Sequence, residues 1–264
     1  MSIILTANNL TKQYFQTRGF FSRVDKTINA LDNISIEIEA GKTMAIVGES
    51  GSGKSTLARA LIRLINIDSG DIFFKNKKIS DLSSKEMKIF RKDIQMIFQD
   101  PYASLNPRFK VKDILEEPLI INKIGNKLER SKKIDSMIQK VGLTSEDLEK
   151  YPHQFSGGQR QRIGIARALI LEPKIIICDE PVSALDVSIQ AQILNLLKKL
   201  QKEFSLTLLF ITHDLRVVRQ ISDSIYVMRS GKLMEEGKTD IIFQNPRHEY
   251  TKMLLNSIPG NIKR

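Results

Sequence analysis

Cysteine is all but missing from this sequence, with Cys178 standing alone among 264 residues. One thiol forms no internal disulfide, which agrees with a reducing compartment. Long apolar runs are missing too. A bilayer-crossing helix takes about 20 consecutive apolar residues, whereas runs such as Ile175–Cys178 and Leu206–Ile211 are strand-sized and hold or stop at polar residues. The opening Met1-Ser2-Ile3-Ile4-Leu5 lacks the basic stretch of a secretory signal. There is no internal repeat, low-complexity tract or long linker, and 41% hydrophobic residues exclude a disordered chain. These absences predict one large domain or two small ones, held at the cytoplasmic side and meeting a membrane only through partners.

The chain carries a net charge of +11. That balance suits either general attraction to anionic lipid or a dedicated nucleic-acid face. The basic groups are short and scattered, as in Lys75-Asn76-Lys77-Lys78 and Lys132-Lys133, each beside acidic or apolar residues. Charge alone does not choose between the two.

Patterning predicts the elements. Ile34, Ile36 and Ile38 alternate as in a half-buried strand that ends at Ala40-Gly41. Met44–Val47, Ile175–Cys178 and Leu206–Ile211 read as strands buried on both faces. Helices are expected over 55–65, from the capping box Ser83-Ser84-Lys85-Glu86, over 113–141, over 156–171, and over 187–204 with an apolar stripe of Ile189, Ile193, Leu196, Leu197, Leu200 and Phe204. Asp71–Phe74 is a further strand, and 224–228 with 232–236 forms a hairpin around Ser230-Gly231. Buried strands alternating with helices imply a parallel α/β core, with an added antiparallel portion.

Three motifs carry chemistry. Gly48-Glu49-Ser50-Gly51-Ser52-Gly53-Lys54-Ser55 fits G-x-x-x-x-G-K-[ST], with a buried strand before it and a helix after it. Glycines let the backbone curl so that successive N–H groups face phosphate, and the helix N-terminus adds its positive dipole end. Lys54 supplies a charge for the β- and γ-phosphates, and the Ser55 hydroxyl is a ligand for Mg²⁺. Ile175–Cys178 runs into Asp179 and Glu180, carboxylates at the end of a parallel strand where ligands gather. Asp179 suits Mg²⁺, and Glu180 suits a general base that polarises the attacking water. Phe155-Ser156-Gly157-Gly158-Gln159 opens a helix with free N–H groups and a hydroxyl, a second anion nest. On spacing alone a Ser-Gly-Gly start is usually only a helix cap; as a second nest it would serve a head-to-tail pair of chains sharing their sites, since one nucleotide needs only one.

That last motif resembles the ABC signature LSGGQ, with Phe155 replacing Leu, and the resemblance extends over nearly the whole chain. It implies an α/β P-loop NTPase, RecA-like in its core, with a helical subdomain near 101–165 and an antiparallel β portion, all within one ATP-binding domain over 1–264. By resemblance, Gln99 is the Q-loop glutamine touching Mg²⁺, Ser183-Ala184-Leu185-Asp186 is the D-loop, and His213 is the switch histidine at the γ-phosphate. Tyr14 matches the adenine-stacking aromatic, with Phe15 beside it. The ATP-contacting set then includes Tyr14, Gly48 through Ser55, Thr56, Gln99, Ser156, Gly157, Gly158, Gln159 and Asp186.

The stretches Phe98–Arg108, Tyr151–Arg162, Glu180–Ser188 and Asn245–Thr251 resemble the peptide and nickel importer branch, especially the second ATPase of dipeptide and oligopeptide systems. The chain ends soon after Pro259, where many of that group run on into a cysteine-containing extension, an ending more like nickel-type subunits. The resemblance implies ATP and Mg²⁺, a second and homologous ATPase subunit, two membrane permeases, an external substrate-binding protein and no nucleic acid. Short peptides are the expected cargo, with nickel or its chelate as the alternative. An exporter ATPase and a soluble ABC ATPase acting on nucleic acid or ribosomes are the rival classes. The latter usually carries two cassettes or long coiled-coil or zinc-bearing insertions, which this sequence lacks.

Overall fold

Strict alternation buries one face of a strand, and Ile34, Ile36 and Ile38 are each no more than 2% exposed. In the computed structural model, which describes residues 2–18 and 23–258, they lie on Arg23–Glu39, which pairs antiparallel with Ile3–Arg18. Ser69–Phe74 lines the other side of Ile3–Arg18, and the short Lys77–Lys78 strand completes a four-stranded sheet. Each fully buried aliphatic here contributes roughly 1.5–3 kcal/mol relative to exposure. The expected strand at 34–39 is therefore the inner end of a much longer hairpin.

The chain forms two compact units, one from Met1–Met87 with Leu209–Arg264 and one from Lys88–Leu208. In the first, Thr43–Val47 is buried at all five residues and runs parallel to Ser224–Arg229, with Met44 opposite Ser224 and Val47 opposite Val227. Lys232–Lys238 turns back antiparallel along Ser224–Arg229, confirming the hairpin expected around Ser230-Gly231. Helices Leu215–Ile221, Thr239–Gln244 and Glu249–Asn256 add Leu215, Val218, Ile242, Tyr250 and Leu255 to a core shared with Ala45, Val47, Ile225 and Val227.

The helix expected over 55–65 is Lys54–Leu61. It stops early because Arg63 turns left-handed at φ 55, its N–H meeting the Ala60 carbonyl and the Leu64 N–H reaching back to Arg59. That pattern of carbonyl capping ends many helices.

In the second unit, Ile94–Ile97 runs parallel to Ile175–Asp179, with Ile97 opposite Cys178. Helices Val111–Ile121, Lys127–Lys140, Gly157–Leu169 and Val187–Phe204 are its four longest elements. The single helical stretch expected over 113–141 is thus two helices. Lys123 and Gly125 have φ of 55° and 63°, and Asn126 starts a new helix by accepting the Leu128 and Glu129 N–H groups. Apolar periodicity continues across the break, so the pattern hides a turn that the backbone chemistry makes.

Candidate functional site

The first unit holds the phosphate loop. Thr43–Val47 delivers the chain into it, and the helix Lys54–Leu61 leaves it with Gly53 at its N-cap, φ 102. A Cβ at Gly53 would collide with the Ala30 carbonyl, so only glycine lets the loop lie so close to the Arg23–Glu39 strand. Lys54 is 4% exposed and folds back over the loop. Its Nζ donates to the carbonyls of Gly48 at 2.8 Å and Glu49 at 2.7 Å. The ammonium is therefore held in the curl of the loop, among backbone dipoles, where an entering anion would meet it. Ser55 and Thr56 follow in the first helical turn, both partly buried.

The turn Ser230-Gly231 buttresses the loop from behind. The Gly231 N–H donates to the Ser52 carbonyl at 3.0 Å, and the Gly231 carbonyl accepts the Asp32 N–H at 2.8 Å. Gln13 and Tyr14 pair with Asn29 and Ile28 of the strand that touches Gly53. Tyr14 is thus within two positions of the strand residue next to the loop. Its ring is 42% exposed, with the Lys12 ammonium 5.6 Å from its centroid. Asp68 accepts from both Lys12 Nζ and the Gln13 N–H at 2.6 Å, fixing this strand end. Phe15, the neighbouring aromatic, is 60% exposed. His213 follows the buried strand Thr207–Thr212 and is exposed. Next to it, Arg216 forms a two-point pair with Asp214, first among the causes that hold the Asp214 carboxyl below its ordinary value.

The second unit holds the carboxylates and the second nest. Asp179 ends its strand 2% exposed. Glu180 adopts φ 46, and its carbonyl accepts the Ser183 hydroxyl at 3.1 Å. It shares this left-handed region with turn residues such as Arg63 and Lys123, so the contacts of its side chain, and not its backbone, bear on the site. Gln99 donates its amide to Glu180 Oε2 at 3.4 Å, so the structure brings these two sequence-predicted residues together. Burial pushes the Cys178 thiol far up, which leaves it an inert packing residue.

Ser156 caps the helix Gly157–Leu169 reciprocally. Its Oγ accepts the Gln159 N–H at 3.3 Å, and Gln159 Oε1 accepts the Ser156 N–H at 3.0 Å. Gly158 admits the Ile189 side chain where a Cβ would sit, and Gly157 faces Leu185. The second nest is thereby packed on the chain around Asp186, which caps Val187–Phe204 through the Ile189 N–H at 3.0 Å. Two arginines of the Gly157–Leu169 helix reach the segment after Gln99. Arg160 lies 5.0 Å from the Tyr102 ring centroid, and Arg167 donates to the Ser104 carbonyl. Sequence reasoning missed these two and Tyr250, which were present only as residues without a role, and it placed Gly231 in a hairpin turn without its contact to the loop.

The sequence profile of the ABC transporter family matches residues 31–183, and that of the oligopeptide/dipeptide transporter C-terminal region matches residues 234–264. The di/tripeptide transport ATP-binding protein DppF of Pseudomonas aeruginosa is 49% identical over 260 residues, covering 98% of this chain and 80% of that protein. The oligopeptide transport ATP-binding protein OppF of Streptococcus mutans is 54% identical over 233 residues, covering 88% and 76%. A solved dimeric ATP-binding cassette in a post-hydrolysis state, bound to ADP and phosphate, superposes with a TM-score of 0.79 at 34% identity, covering 89% of this chain and 99% of that one. The fold is that of a P-loop ATPase, α/β with an added antiparallel sheet and a helical portion, and the chain belongs to the ABC transporter family. Within that family it is an ATP-binding, ATP-hydrolysing member.

Proposed function

We propose that this chain powers the import of di- and oligopeptides, as the ATPase subunit of a transporter whose permeases lie in the membrane. The observation that carries the cargo is the match of residues 234–264 to the oligopeptide/dipeptide C-terminal region, a stretch outside the general ATPase motifs. Among the described residues no helix is long and apolar enough to cross a membrane. The proposed place, which follows from the likeness to peptide-transport ATP-binding proteins, is peripheral, at the cytoplasmic face and bound to two permeases. A homologous second ATPase and an external substrate-binding protein complete the assembly.

Residues 1–264 act in this reading as one ATP-binding domain, with a helical subdomain near 101–165. The loop Gly48 to Ser55 with Thr56 grips the phosphates, Lys54 countering their charge and Tyr14 stacking on adenine. Ser55, Gln99 and Asp179 offer only oxygen donors, which fits a hard cation, and they are the residues that would hold Mg²⁺. When bound, that ion neutralises charge on the phosphate oxygens. Glu180 takes the proton of the attacking water, and His213 contacts the γ-phosphate. Ser156, Gly157, Gly158, Gln159 and Asp186 serve the nucleotide of the partner ATPase. ATP-driven pairing and hydrolysis-driven release then work the permeases through the region of Gln99.

Deleting the gene and following uptake of a labelled dipeptide, a labelled oligopeptide and labelled nickel tests the cargo. Peptide uptake should fall to background with nickel uptake unchanged. Lost nickel uptake with intact peptide uptake would replace the cargo and leave the ATPase assignment standing.

A further inference from the structure

Glu49, the second residue of the phosphate loop, is held from both sides. Its carbonyl accepts Lys54 Nζ at 2.7 Å. Its N–H donates to the hydroxyl of Tyr250 at 3.2 Å, across 201 positions of chain. Tyr250 is 2% exposed on the helix Glu249–Asn256, and its ring packs in the same core as Val47, the last residue before the loop. The Arg229 guanidinium lies 4.8 Å from the ring centroid.

The helix that carries Tyr250 is itself anchored. The Glu235 carboxylate accepts the Arg247 N–H at 2.8 Å and the His248 N–H at 3.0 Å, and His248 Nδ1 accepts the Tyr250 N–H at 3.1 Å. The hydroxyl is thus presented by a fixed element rather than by a mobile tail.

We propose that Tyr250 is a positioning residue for the phosphate loop, so that the C-terminal segment is a structural part of the nucleotide site. The Glu49 peptide is oriented by the hydroxyl on one side and by the lysine on the other. Removing the hydroxyl leaves the Glu49 N–H without its partner and frees the peptide to turn. Lys54 then loses the fixed carbonyl that aims its ammonium. The inference rests on the reading of Gly48 to Ser55 as the ATP-phosphate site.

The test is calorimetric titration of the full chain with MgATP, beside its thermal unfolding without nucleotide. Tyr250→Phe keeps the ring and removes only the hydroxyl, and it should weaken MgATP binding about three- to tenfold, the scale of one lost hydrogen bond. Leu255→Ala, in the same helix and core cluster, should lower the unfolding midpoint further yet bind MgATP as the wild type does. Wild-type affinity in Tyr250→Phe, or equal loss of affinity in both variants, would overturn the positioning role. Lys54→Ala is the control for the underlying reading, and its undiminished affinity would overturn the phosphate-loop assignment itself.

Discussion

At the residue scale Glu180 ties together two of the residues expected at the site. Its backbone is left-handed at φ 46, as in a turn, and its carboxylate meets the Gln99 amide. A general base in that position supplies rate rather than affinity. Glu180→Gln should retain ATP binding and slow hydrolysis by ~10²–10⁴-fold. Lys54→Ala should instead weaken binding, because it removes the charge-assisted contact to phosphate. Turnover of the assembled transporter together with MgATP affinity of the isolated chain separates the two effects, and near-normal turnover in Glu180→Gln would remove it from the role. Such residues were legible in the sequence because their chemistry is local: a lysine after glycines, a carboxylate after an apolar strand. Tyr250 was not, because its role depends on a hydroxyl meeting an amide from a distant part of the chain.

Elements were legible to the degree that one local rule governed them. Val187–Phe204 begins and ends where its apolar stripe does, and Asp186 supplies the cap. The hairpin of Ile3–Arg18 and Arg23–Glu39 was visible only at 34–39, because Tyr14, Phe15 and Ile28 further out are exposed and break the alternation that marks a half-buried strand. Ile94–Ile97, only four residues long, carries no signal of its own; its partner Ile175–Asp179 gives it a place. The Asp186 cap makes a prediction at this scale. Its carboxyl is held below the ordinary 3.8, first by the Ile189 N–H and then by the Ser188 hydroxyl. A folded value below the unfolded one gives stabilisation that is complete above 3.8 and is lost as pH falls through the folded value. Asp186→Ala should therefore lower the unfolding midpoint at neutral pH, and its gap from the wild type should close on acidification below that value. A gap that stays constant down to pH ~2 would show that the carboxylate charge contributes nothing to the cap.

At the scale of the whole molecule, the proposed second anion nest needs a phosphate to bind. Ser156 and Gln159 satisfy one another reciprocally at the start of Gly157–Leu169, and the first N–H groups of an α-helix have no partner within the helix. The chain's own phosphate loop already has Lys54 and a helix N-terminus of its own. In the proposed reading the nest serves a nucleotide bound to another chain, and ATP joins the pair. Two consequences separate this from a merely structural cap. Glu180→Gln, which binds ATP and turns it over slowly, should accumulate as an ATP-dependent pair with its partner ATPase, read by size-exclusion chromatography with light scattering. Adding Ser156→Arg to that variant places a long cation in the nest and should abolish the pair, while the isolated chain keeps its own MgATP affinity. An ATP-dependent pair that survives Ser156→Arg would show that the second nest is not where the chains meet. Loss of MgATP affinity in the isolated Ser156→Arg chain would point to a damaged helix instead.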